Sequence, residues 1–77
     1  MNAVKPQSKP SGLNAKTETL LLELGEECQR ILKLLAQLEM PTLTEAQRET
    51  VLGELSAAVL HLHEHTRGLD SVIESES

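Results

Sequence analysis

The sequence predicts an all-α protein: an antiparallel two-helix hairpin that dimerises into a four-helix bundle. Three observations carry this expectation. A leucine-dense run from Leu20 to Leu38 places Leu21, Leu24, Cys28, Ile31, Leu35 and Leu38 at alternating spacings of three and four, the repeat that keeps a stripe on one side of a helix. A second run, Leu52, Leu55, Val59, Leu62, Thr66, Leu69 and Ile73, has the same alternation. Between them stand Pro41 and a group of helix-start residues. A connection that short makes the two helices antiparallel neighbours.

The first 13 residues contain Pro6, Pro10, Lys5 and Lys9 and almost nothing apolar, and are expected to be a disordered tail. Asn14 is placed to cap the first helix, over 14–39, with its short polar side chain accepting from a first-turn N–H. Met40 precedes Pro41 and is biased out of the helical region, so residues 40–44 form the turn. Thr44 and Gln47 spell a capping box, and Thr42 with Glu45 spells a competing one. Either starts the second helix near 45, running to 70 or slightly beyond. Gly68 can end it as a C-cap, with Arg67 at the negative dipole end; the apolar pattern continues through Leu69 and Ile73 nonetheless. The hairpin unit thus spans 14–73, and residues 74–77 are expected to be a disordered acidic tail.

Width of the apolar face is what points to a dimer. With Leu21, Cys28 and Leu35 labelled a and Leu24, Ile31 and Leu38 labelled d, Leu20 and Leu34 fall at g and Leu32 at e. In the second helix Val51, Ala58 and Val72 fall at g. Such a face suits a helix with two neighbours, as in a four-helix bundle. A 77-residue chain without Phe, Trp or Tyr has little with which to build a core, and a single cysteine excludes an internal disulfide. Association is the remaining remedy for so small a scaffold. The core and interface residues are expected among Leu20, Leu21, Leu24, Ile31, Leu32, Leu34, Leu35 and Leu38 with Leu52, Leu55, Val59, Leu62 and Leu69. Leu22 and Leu60 lie off the seam and are expected to form an outer patch for a different partner. Gly25, in the first helix, costs about 1 kcal/mol relative to Ala and is expected where a neighbouring helix comes close.

Composition narrows the function classes. The net charge is −5, with all twelve acids beyond residue 17 against only Arg30, Lys33, Arg48 and Arg67. That body repels a phosphate backbone and has no ring to stack on bases, so nucleic acid is not an expected partner. No apolar run reaches the roughly 20 residues a bilayer needs, and no apolar leader precedes the helices. With one cysteine, the expected setting is cytoplasmic, with no membrane partner.

Catalysis is not expected: there is no Gly-rich phosphate loop and no assembled nucleophile. Cys28, at an a position, is expected to act as a small buried apolar residue. Of the three histidines, His61 and His65 share a helical face with Glu64, whereas His63 points away. These three are the candidates for a metal site, but without a converging third imidazole no metal or cofactor is expected. The reading is a small non-enzymatic protein–protein interaction module, an adaptor or regulatory subunit, whose partners are a second copy of itself and another protein. The alternatives are a hetero-complex subunit that orders on a larger partner, and a metal-binding protein using His61 and His65.

Overall fold

A computed structural model describes residues 12–76. The expected disordered tail falls largely on residues 1–11, outside the described residues, as does Ser77. Three helices follow in order: α1 over Ala15–Leu38, α2 over Glu45–Thr66 and the short α3 over Leu69–Glu74. The described residues contain no strand. At 1.5 Å per residue, the two long helices are about 36 and 33 Å.

Local chemistry sets the helix ends. Asn14 accepts from the Lys16 N–H at 2.8 Å, and its carbonyl receives the Glu18 N–H at 2.9 Å. At the far end of α1 the Glu39 and Met40 N–H groups turn back to Ala36 and Gln37, and Pro41 follows. Of the two spelled capping boxes, the structure forms that of Thr44. Its hydroxyl accepts from the Gln47 N–H at 3.1 Å, and its own N–H donates to Gln47 Oε1 at 2.9 Å. The second helical run is not continuous. It breaks at Gly68, whose φ of +74° lies in the left-handed region, where a side chain is strained. Glycine here ends α2 and restarts the chain as α3.

Residues 74–76, expected within a disordered tail, are instead held. Glu74 closes α3, Ser75 Oγ donates to the Val72 carbonyl at 2.7 Å, and Glu76 Oε2 accepts from the Thr17 hydroxyl at 2.7 Å. That last bond spans 59 positions and ties the chain's end to the first turn of α1.

α1 and α2 pack side by side as an antiparallel hairpin around a core of Leu34, Val51 and Ala58, against which Ile31, Leu38 and Leu55 lie. Leu69 is buried in α3 and Thr17 in α1. Going outward from this core, the buried and half-buried positions run 17, 20, 24, 27, 31, 34, 38 in α1 and 51, 55, 58, 62, 65, 69, 72 across α2 and α3. The spacing still alternates, but the seam is built from g and d positions rather than a and d. Leu34 therefore takes the place expected for Leu35, and Val51 and Ala58 the places expected for Leu52 and Val59. The apolar arc covered all three sets of positions, so periodicity alone fitted both phases. The small side chain of Ala58 makes room for Leu34 in the phase the fold adopts.

Candidate interaction surface

The change of phase divides the expected seam residues into two groups. Leu20, Leu24, Ile31, Leu34, Leu38, Leu55, Leu62 and Leu69 are buried or half-buried within the hairpin. Leu32, Leu35, Leu52 and Val59 remain exposed, at 64, 43, 46 and 51% respectively. Leu21 is half-buried between the groups, and Ile73 is exposed. Cys28, expected in the core, is exposed instead. Its a position sits beside the g/d seam, about a quarter-turn round the helix.

These exposed residues share one side. Successive helical residues are about 100° apart, so a and e positions follow the seam in the same rotational sense on each helix. Antiparallel pairing reverses that sense for one member and brings both sets to the same flank. Leu32, Leu35, Cys28, Leu52 and Val59 consequently make one aliphatic flank across both helices. The expected outer patch does not form in the same way. Leu22 and Leu60 are both exposed, but each lies across its helix from the seam, so they look outward from opposite edges of the hairpin.

The other flank is polar. His61 Nδ1 meets Glu27 Oε2 at 2.7 Å, and His65 Nε2 meets Glu23 Oε1 at 3.2 Å. Glu23 and Glu27 are four apart on α1, and His61 and His65 four apart on α2, so they form two rungs across the seam. Among the described residues the second Glu27 oxygen and His65 Nδ1 are buried without a hydrogen-bond partner.

This pairing redirects the metal candidates. His61 and His65 each turn to a different α1 carboxylate, and Glu64 pairs with Arg67 at 3.7 Å instead. Among the described residues, no group of three His, Cys, Asp or Glu side chains could hold a metal ion. Sequence reasoning missed Glu23 and Glu27 as histidine partners. The matched spacing of four in both helices was the available signal, but it needed the seam phase to be read.

An open depression beside the turn is lined by Gln37, Met40, Leu43, Ala46, Gln47 and Val51 among others, with no carboxylate, histidine or cysteine in its wall. Among the described residues no helix is long and apolar enough to cross a membrane. Compared with protein families, curated proteins and solved structures, the chain matches none of them.

Proposed function

We propose that the protein is a small non-enzymatic interaction module, an adaptor or regulatory subunit, whose working form is a homodimer. Two hairpins pack through their aliphatic flanks to make a four-helix bundle. The observation carrying this reading is the single flank on which Leu32, Leu35, Leu52 and Val59 lie exposed from both helices. Fully burying an aliphatic side chain contributes about 1.5–3 kcal/mol. Covering the exposed half of each of these four contributes roughly 1 kcal/mol apiece on the same scale. The hairpin's own core is thin: its buried apolar residues are Leu34, Val51, Ala58 and Leu69, too few to hold a chain this short unaided. A second copy is the partner that is present whenever the chain is, and two-fold pairing of one surface is the commonest solution. A different protein then binds the outside of the bundle, in a cytoplasmic setting.

The test is solution mass by light scattering, with concentration read by refractive index because the chain lacks Trp and Tyr. A mass of two 8.4 kDa chains is expected. Leu32→Asp combined with Val59→Asp should yield a helical species of one chain. A wild-type mass of one chain with full helicity would overturn the homodimer.

A further inference from the structure

Gly25 has no reason within the hairpin. It sits inside α1, where glycine costs about 1 kcal/mol relative to alanine, and its backbone lies in no left-handed conformation. A Cβ added there would meet nothing within 4 Å, so α2 is not the neighbour that demands it. Gly25 lies instead on the aliphatic flank, at e, beside Cys28 and between Leu21 and Leu32. The four positions 21, 25, 28 and 32 read large, small, small, large. Their spacing of four, three and four is the same from either end, and its midpoint falls between Glu26 and Glu27. The midpoint of α1, Ala15–Leu38, falls at the same place.

A palindromic stripe centred on its own helix is the pattern an isologous contact requires. In a two-fold interface each residue i that meets j is matched by j meeting i. From this geometry we infer that, in the homodimer proposed above, the two α1 helices cross antiparallel at their midpoints. Gly25 of each copy faces Cys28 of the other, and Leu21 of each faces Leu32 of the other. The small pair lets the backbones approach at the crossing, and the leucines close over it on either side. A partner of another sequence has no need of this symmetry, which is why the occupant is a second copy. The inference rests on the homodimer reading and adds to it the position of the two-fold axis. The two Cys28 residues then lie about 4.5 Å apart along the axis, three residues' rise.

The full chain, its mass first measured by light scattering, is treated with a short-spacer bis-maleimide, which links only cysteines. A linked pair of chains is expected from wild type and none from Cys28→Ser. Gly25→Leu should drop the mass from two chains to one with helicity unchanged, since the hairpin has space for the side chain. A two-chain mass without linkage would overturn the axis and leave the homodimer standing, as would a Gly25→Leu protein that keeps the two-chain mass. A one-chain wild type would overturn the homodimer itself and the axis with it.

Discussion

Ala58 has the smallest side chain in the hairpin's core, and its neighbour Val59 points out of it. The same division recurs at Leu34, 4% exposed, and Leu35, 43% exposed. Adjacent residues of one type thereby acquire opposite roles. Leu34→Asp should abolish the cooperative thermal transition, because a charge enters an apolar core without a partner. Leu35→Asp should keep the helical circular dichroism of the hairpin and lower the mass toward one chain. His65 offers a test of the opposite sign. Its ring is mostly buried, its Nδ1 has no partner, and its Nε2 reaches Glu23, which is half in solvent. Leaving a buried polar atom unsatisfied costs about 1–3 kcal/mol, and an apolar side chain removes that cost. His65→Leu should raise the melting midpoint. Neither the Glu27 nor the His65 position was legible beforehand as part of the seam, because polarity at two of its places broke the apolar pattern that revealed the rest.

At the scale of elements, the helix boundaries were the most readable feature, since caps depend on residues a few positions apart. Asn14 and the Thr44–Gln47 box act where their spelling placed them. Thr44→Ala should cost about 1 kcal/mol, read as a lower denaturation midpoint with an unchanged m-value. Gly68 was recognisable as a stop, but the short helix after it was not. α3 is held through Leu69 and through the bond from Thr17 to Glu76, an interaction that joins the two ends of the described chain and leaves no local trace. Thr17→Val should therefore speed amide exchange in residues 69–76 while leaving the middle of α2 protected. Gly68→Ala forces a left-handed backbone on a residue with a Cβ and should cost about 1–2 kcal/mol in global stability.

The molecule as a whole is a slab. Its shortest dimension is 14 Å, a single layer of helices, so each broad side is also the only side its residues can turn outward. All-helical class, hairpin order and breadth of the apolar faces could be read from composition and periodicity, because those properties sum over many residues. Which leucines fill the core and which form the exposed flank could not. A one-position change of phase exchanges them while leaving the spacing the same.

The two flanks have unlike chemistry, and that bears on valency. If the aliphatic flanks meet each other, both Glu–His flanks are left outermost, carried back to back on one rigid body. Whatever recognises that polar surface finds it twice. A partner with a single binding site would be held two to a bundle, whereas a partner that is itself paired, with sites spaced to match, would gain in avidity from the second engagement. A hairpin too thin to support itself would in this way become a two-headed connector, with its bridging capacity tied to the contact that stabilises it.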